Sequence, residues 1–196
     1  MIADGYTDLP PGKLANVVTC LEMRARPAPR PDPHTPPCSL RRAARPSADW
    51  YRGLFREIGQ PYLWASRLAM SEQQLREIIE DSRVEIYAPV LDGRDCGLLE
   101  LDFRTPGECE LVFFGLVASA TGHGIGRWLM NRAIEFAWAK PIERFWVHTC
   151  TMDDPRALPF YIRSGFTPFK RQIEIFDDPR LSGLLPESAA PDIPLL

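Results

Sequence analysis

Hydrophobic and polar positions alternate through the middle of the chain, and this alternation predicts an antiparallel meander of three strands. Short turn signals separate the apolar stretches. Asp92-Gly93 is a hairpin signal, and Thr105-Pro106-Gly107 is a second turn. The predicted strands are Val84–Val90, Gly97–Phe103 and Glu110–Val117.

The spacing of apolar residues becomes helical after the meander. Ile125, Leu129 and Ala133 share one face of a helix predicted over Gly124–Lys140. A crossover of this kind makes the strands on either side of the helix parallel neighbours. The remaining predicted elements are a strand over Lys13–Met23, helices from Ser47 to Ile58 and from Ser71 to Asp81, a strand over Arg144–Cys150, a helix over Pro155–Ser164 and a strand over Thr167–Phe176.

Proline and arginine are concentrated in residues 24–46, which we call the Pro/Arg segment. Proline excludes helix and central strand, so the sequence predicts an extended loop inserted in one domain that spans residues 1–178. A stiff surface loop and an anion-binding or partner-binding arm are both consistent with this composition. Residues 179–196 form a tail without a pattern that predicts structure.

Composition narrows the class of protein. The 196 residues are 45% hydrophobic and 25% charged, and the net charge is −3, which is typical of a globular domain and gives no electrostatic reason to bind nucleic acid. No apolar run approaches the length of a membrane span, and the first residues do not resemble an export signal. The five cysteines form no close pair, so we expect neither a disulfide framework nor a metal site, and we expect a cytoplasmic protein.

The residues from Thr121 to Arg127, which we call the glycine turn, carry the clearest chemical signal. Glycines alternate here at a predicted helix N-terminus, where free N–H groups and the helix dipole attract a phosphate or diphosphate. The residues that follow Gly126 do not fit a Walker loop, and the glycine spacing does not fit a dinucleotide fingerprint. A tight strand-to-helix connection without a ligand is the alternative interpretation.

Two motifs in this part of the chain resemble those of the GCN5-related N-acetyltransferases (GNAT). The glycine turn between a strand and a long helix resembles motif A, with Thr121 where the family prefers Gln or Arg. Residues 154–166, DPRALPFYIRSGF, resemble motif B, N-x-x-A-x-x-[FL]-Y-x-x-x-G-F, with Asp154 in place of Asn. The resemblance covers Val84 to Phe176 well and the first 80 residues only in outline.

The resemblance implies a fold and a cosubstrate. The fold is a three-layer, mixed α/β structure in which the sheet has an antiparallel meander and a splayed parallel pair, with helices on both faces. The cosubstrate is acetyl-CoA. Its diphosphate would lie on the glycine turn, and its pantetheine arm would lie in the gap beside Phe145 to Thr149. The implied cofactor-binding residues are Phe114, Gly115, Leu116, Gly122, His123, Gly124, Ile125, Gly126, Arg127, Asp154 and Tyr161.

Acetyl transfer to an amine requires a base, an oxyanion donor and an acid. The resemblance assigns Glu110 as the base, Tyr161 as the acid that protonates the leaving thiolate, and the Leu116 N–H as the oxyanion donor. Glu100 and Asp102 are second choices of base, because the predicted hairpin groups them with Glu110. His148 is a weaker choice, and a water chain without a fixed base is an alternative. We also expect Asp154 to cap the motif B helix and Pro159 to disturb it.

The acceptor is less well determined. We expect the primary amine of a small molecule, an amino acid or a peptide, held near the aromatic side chains between Trp50 and Met70. A non-catalytic module that binds acyl-CoA is the alternative, and an interaction protein acting through the Pro/Arg segment is a third hypothesis. We expect neither a nucleic-acid partner nor a membrane partner. A homodimer is compatible with the sequence, which does not indicate a surface for it.

Overall fold

A computed structural model describes residues 4–32 and 38–196. The helices are α1 (Ala48–Gly59), α2 (Ser66–Ala69), α3 (Glu72–Ile79), α4 (Ile125–Trp138) and α5 (Ala157–Arg163). The strands are β1 (Lys13–Met23), β2 (Cys38–Arg42), β3 (Val84–Leu91), β4 (Arg94–Asp95), β5 (Gly97–Asp102), β6 (Glu108–Leu116), β7 (Arg144–Cys150) and β8 (Thr167–Asp177).

One mixed sheet has the strand order β2-β3-β5-β6-β7-β1-β8, and β4 pairs with β3. The predicted meander is confirmed, because β3, β5 and β6 pair antiparallel. The predicted parallel pair is also confirmed, but β6 and β7 are paired only from Glu108 with Arg144 to Leu111 with Val147. Beyond that point the two strands separate. The gap therefore begins at His148, and Phe145–Val147, where we expected it, are still paired.

The sheet separates two hydrophobic cores, which confirms the expected three layers. One core lies against α1 and α3 and is built around Tyr51, Phe55 and Leu75. The other lies against α4 and α5 and includes Leu129 and Phe145. Alternation along the strands sends successive side chains into opposite cores.

Side-chain caps in the local sequence determine where α1 and α3 begin. Ser47 caps α1 by accepting from the Trp50 N–H, and Ser71 forms the predicted capping box with Gln74. The prediction for α5 is wrong at its start, because the helix begins at Ala157 and Asp154 is not its N-cap. Pro159 consequently lies in the first turn, where its missing N–H has no helical acceptor, so the expected disturbance does not arise.

The Pro/Arg segment is only partly the loop that the sequence predicts. Cys38–Arg42 forms an edge strand on β3, a position that tolerates neighbouring prolines. Residues 33–37 lie outside the described residues. The tail packs on the core through Leu185 and Ala189, and buried Arg180 pairs with Asp178 and donates to the Ile193 carbonyl oxygen.

Candidate active site

The separation of β6 and β7 opens a cleft of about 920 Å³ that reaches both faces of the sheet. The glycine turn and α5 line one end, and the loop between α1 and α2 lines the other. Most of the residues expected to bind a cofactor line this cleft, namely Phe114, Gly115, Leu116, Gly122, Gly124, Gly126, Asp154 and Tyr161. His123, Ile125 and Arg127 belong to the same turn but do not line the cleft.

The backbone of the glycine turn is open to a ligand. Gly122 and Gly124 have φ of 85° and 78°, a region that favours glycine, and a Cβ at Gly122 would meet nothing within 4 Å. Among the described residues, no backbone N–H from 122 to 127 donates to a backbone carbonyl or a side chain. These amides lie at the N-terminus of the 14-residue helix α4. The arrangement fits a diphosphate.

Three side chains of the glycine turn take different positions. Ile125 is fully buried in the core, so only its backbone can contact a ligand. His123 and Arg127 are exposed. Thr121 donates its hydroxyl to the Ala118 carbonyl oxygen at 2.8 Å, and this bond uses the one donor of the side chain that replaces the family's Gln or Arg.

The end of β6 offers backbone groups to the gap. The Val117 N–H donates to the Cys96 carbonyl oxygen at 2.9 Å, so the alternation of an antiparallel ladder turns the amides of Leu116 and Phe114 away from β5. An extended ligand with amide groups could pair there as a strand does. Gly115 has a separate role, because a Cβ there would lie 2.4 Å from Ile58. Because residue 115 has no side chain, α1 can pack directly on β6.

Tyr161 reaches the cleft from α5 and is otherwise buried. Its ring packs edge-on against Phe114 and Phe166. Burial raises the pKa of its hydroxyl, and the charge of Asp153 raises it further. The hydroxyl therefore stays protonated near neutral pH, as a proton donor requires.

Glu110 and His148 form a pair on the face of the sheet opposite Tyr161. The Nδ1 atom of His148 lies 3.5 Å from Oε1 of Glu110, and of the two residues only His148 lines the cleft. The interaction with Glu110 raises the pKa of His148 above its usual 6.5, although burial opposes this. Asp153 and Glu174 also raise the pKa.

The other two candidate carboxylates, Asp102 and Glu100, are each paired with an arginine. Asp102 lies opposite Glu110, as expected, but binds Arg104 through Oδ2 at 2.6 Å. Glu100 is fully buried, accepts from the Tyr51 hydroxyl and pairs with Arg67 at 2.6 Å. Burial raises the pKa of Glu100. Because both oxygens are bound inside the core, Glu100 has no route to a substrate amine.

Two aromatic side chains bridge the far end of the cleft, and the sequence did not indicate this contact. Trp64 donates its Nε1–H to Asp153 at 3.0 Å, and Tyr62 donates its hydroxyl to Asp154 at 3.3 Å. Asp153 also accepts from the Thr149 hydroxyl at 2.8 Å and from the Cys150 N–H at 2.9 Å. Of the aromatics between Trp50 and Met70, only Tyr62 and Trp64 line the cleft. Tyr51 and Phe55 belong to the core.

Asp154 and Cys150 also line the cleft, and their pKa values determine whether each side chain is charged at neutral pH. A hydrogen bond from Arg156 lowers the pKa of Asp154 to about 2, so the carboxylate is ionised but paired with a cation. This pairing offsets a negative charge beside an anionic ligand. Burial raises the pKa of Cys150 to about 11, so its thiol is not a nucleophile at neutral pH.

The described part of the chain contains neither a metal-binding group of side chains nor a membrane-spanning helix. No group of three or more His, Cys, Asp or Glu residues within 4–32 and 38–196 is arranged to hold a metal ion. Over the same residues, no helix combines the length and apolar character needed to cross a bilayer.

Comparisons with known proteins agree with this geometry. Residues 48–166 match the sequence profile of the Acetyltransferase (GNAT) family. A GCN5-related N-acetyltransferase from Sphaerobacter thermophilus is similar in structure, with a TM-score of 0.61 and 13% identity over 83% of this chain. A conserved protein of unknown function from Staphylococcus epidermidis has a TM-score of 0.60 and 13% identity over 85% of this chain.

An aminoglycoside acetyltransferase from an uncultured soil metagenomic sample, solved with trehalose, has a TM-score of 0.53 and 16% identity. The match covers 65% of this chain and 87% of that protein. By contrast, this chain spans 52% of the Sphaerobacter protein and 63% of the Staphylococcus protein. No curated protein is significantly similar in sequence. At these identities the structural similarity shows the fold alone.

Proposed function

The chain belongs to the Acetyltransferase (GNAT) family, and from this we propose that it transfers the acetyl group of acetyl-CoA to a primary amine of a small molecule, an amino acid or a peptide. One observation carries the proposal. The amides of the glycine turn are free, and the cleft leads from that turn along the end of β6 to Tyr161. A diphosphate held at the turn would leave a long amide-containing arm to follow β6.

The cosubstrate supplies an activated acetyl group as a thioester, and the chain's residues would provide the rest. His148 accepts a proton from the ammonium form of the acceptor, which leaves a neutral nitrogen able to attack the carbonyl carbon. Glu110 orients the imidazole and stabilises its charged form. The N–H of Leu116 stabilises the oxyanion. When the carbon–sulfur bond breaks, Tyr161 donates its proton to the thiolate. The nitrogen then loses its second proton, which solvent carries to the tyrosinate, and His148 releases its proton to solvent. The products are an amide and a free thiol.

Aromatic side chains favour a small cationic acceptor. Trp64, Tyr62 and Phe113 line the cleft on the side of α1, and Phe113 lies 5.3 Å from Trp64 between ring centroids. Aromatic faces attract an ammonium group before it loses its proton. A peptide N-terminus would present the same ammonium group.

Free thiol release from acetyl-CoA in the presence of a panel of small amines and peptides tests the proposal. We expect thiol release that depends on one class of amine, together with an acetylated product detected by mass spectrometry. Reactions without an amine are the control for background hydrolysis. Binding of CoA without turnover for any amine would instead favour the alternative, a non-catalytic module that binds acyl-CoA.

A further inference from the structure

Arginines from three separate parts of the chain lie around the end of the cleft that the glycine turn lines. Arg127 is in the first turn of α4, and Arg163 is the last residue of α5 and lines the cleft. Arg30 comes from the Pro/Arg segment, about 100 residues away in sequence. The Pro/Arg segment, which lies before the matched residues 48–166, therefore adds a cation beside α4 and α5.

Arg30 is fixed between α4 and α5. Its Nη1 donates to the Arg163 carbonyl oxygen at 2.8 Å, and its Nη2 donates to the Ser164 hydroxyl at 3.1 Å and more weakly to Asn131 at 3.4 Å. Asn131 returns a bond from its Nδ2 to the Arg30 carbonyl oxygen at 3.1 Å. Because Asn131 is four residues after Arg127, it lies on the same face of α4. The guanidinium is thus held in one position and retains N–H groups that these bonds do not use.

Within the described residues, no carboxylate forms an ion pair with Arg30, Arg127 or Arg163. Asp32 is the one acid of the Pro/Arg segment, and its carboxylate binds the Asn131 amide at 2.6 Å and Arg132 at 3.5 Å. Burial lowers the pKa of Arg30, and the charge of Arg127 lowers it further, so the two cations are close enough to repel. An anion bound between them would relieve this repulsion.

We propose that Arg30, together with Arg127 and Arg163, binds the 3′-phosphate of coenzyme A, so that the stretch of the Pro/Arg segment around Arg30, within residues 24–32, forms part of the cosubstrate site. This inference rests on the proposed function. The diphosphate has its own partners in the amides of the glycine turn. The 3′-phosphate carries a separate charge close to −2 and needs cations with several donors, which guanidinium groups supply.

The test compares CoA with 3′-dephospho-CoA in binding calorimetry. The proteins are the wild type, Arg30→Gln and a matched control, Arg26→Gln, which removes an exposed arginine of the same segment. We expect Arg30→Gln to weaken CoA binding about tenfold, in line with one charge-assisted contact, and to change 3′-dephospho-CoA binding less than twofold. Arg26→Gln should change neither affinity. Adenosine 3′,5′-diphosphate and AMP provide a second pair of ligands that does not depend on the pantetheine arm.

Each outcome of the calorimetry decides whether Arg30 binds the 3′-phosphate. An equal loss of both cofactors in Arg30→Gln would mean that the arginine only holds the segment in place, and it would overturn the inference. An unchanged affinity for CoA would also overturn it. In both cases wild-type binding of CoA leaves the proposed function intact. If the wild type binds neither cofactor, the proposed function fails and the inference fails with it. Thermal unfolding of each variant verifies that the fold is retained.

Discussion

The Nδ1 atom of His148 lies 3.5 Å from Oε1 of Glu110, at the point where β6 and β7 begin to separate. Glu110 is on the last paired stretch of β6, and His148 is the first residue of β7 beyond the pairing. The imidazole therefore faces the cleft while the carboxylate stays behind it. In the proposed mechanism, this relationship divides the work of a base between two residues: His148 takes the proton and Glu110 raises the pKa of His148.

The pH dependence of the reaction tests this division. The interaction with Glu110 raises the pKa of His148, so the neutral imidazole becomes available only above pH 6.5 and the rate should rise as the pH passes the raised pKa. Glu110→Gln should move that rise to lower pH, and His148→Gln should reduce kcat about 100-fold. The same shift stabilises the fold below pH 6.5, and this stabilisation is lost as the pH increases through the folded-state pKa.

Glu108→Gln is the matched control, because Glu108 lies two residues away on the same strand and pairs with Arg144. It should leave the pH profile unchanged. If Glu110→Gln abolished the increase in rate with pH and did not shift it to lower pH, Glu110 itself would be the base. The proposed division of roles would then be wrong.

Tyr161 should affect the chemical step and not the binding of acetyl-CoA. Tyr161→Phe removes the proton donor but keeps the ring that packs on Phe114 and Phe166, so kcat should fall roughly 100-fold with little change in KM for acetyl-CoA. Steady-state kinetics measure both constants. Tyr87→Phe is the control, because that buried hydroxyl binds Glu85 away from the cleft. Equal kcat values for the wild type and Tyr161→Phe would remove the tyrosine from the mechanism.

Glu100 should matter for stability and not as a base. Glu100→Gln leaves Arg67 buried without an ionic partner, and Nε of Arg67 already lacks a hydrogen-bond partner among the described residues. The free energy of unfolding should fall by about 3 kcal/mol in chemical denaturation. Glu72→Gln, which breaks an exposed pair with Arg76, should cost about 0.5 kcal/mol or less. A folded Glu100→Gln variant that lost the pH-dependent rise in rate would restore Glu100 as a candidate base.

Much of the fold follows from local signals in the sequence. Alternation identified the meander, the Ser71 capping box identified the start of α3, and the glycine turn identified the start of α4. The burial of Glu100 could not be predicted in the same way. Its partner Arg67 lies on α2, a helix of four residues that has no periodicity to detect. Only the folded sheet brings the two charges together.

Three other features also could not be predicted from the sequence, because they depend on contacts between distant residues or on a local turn. A proline-rich stretch gives no signal for an edge strand, because β2 depends on its pairing with β3. The bridge from Trp64 to Asp153 joins residues 89 positions apart, and neither residue type indicates the other. Motif B located Tyr161 but not the start of α5, since the turn made by Asp154 and Arg156 replaces the usual cap.

The central claim is that the glycine turn binds the diphosphate of acetyl-CoA, and calorimetry with CoA on Gly122→Ala and Gly93→Ala tests it most directly. Both glycines have positive φ, 85° and 77°, and a Cβ at either would meet no protein atom within 4 Å. Both variants should therefore lose a similar stability of about 1 to 2 kcal/mol. We predict that Gly122→Ala weakens CoA binding at least tenfold while Gly93→Ala binds it as the wild type does. Wild-type affinity in both variants would contradict the claim.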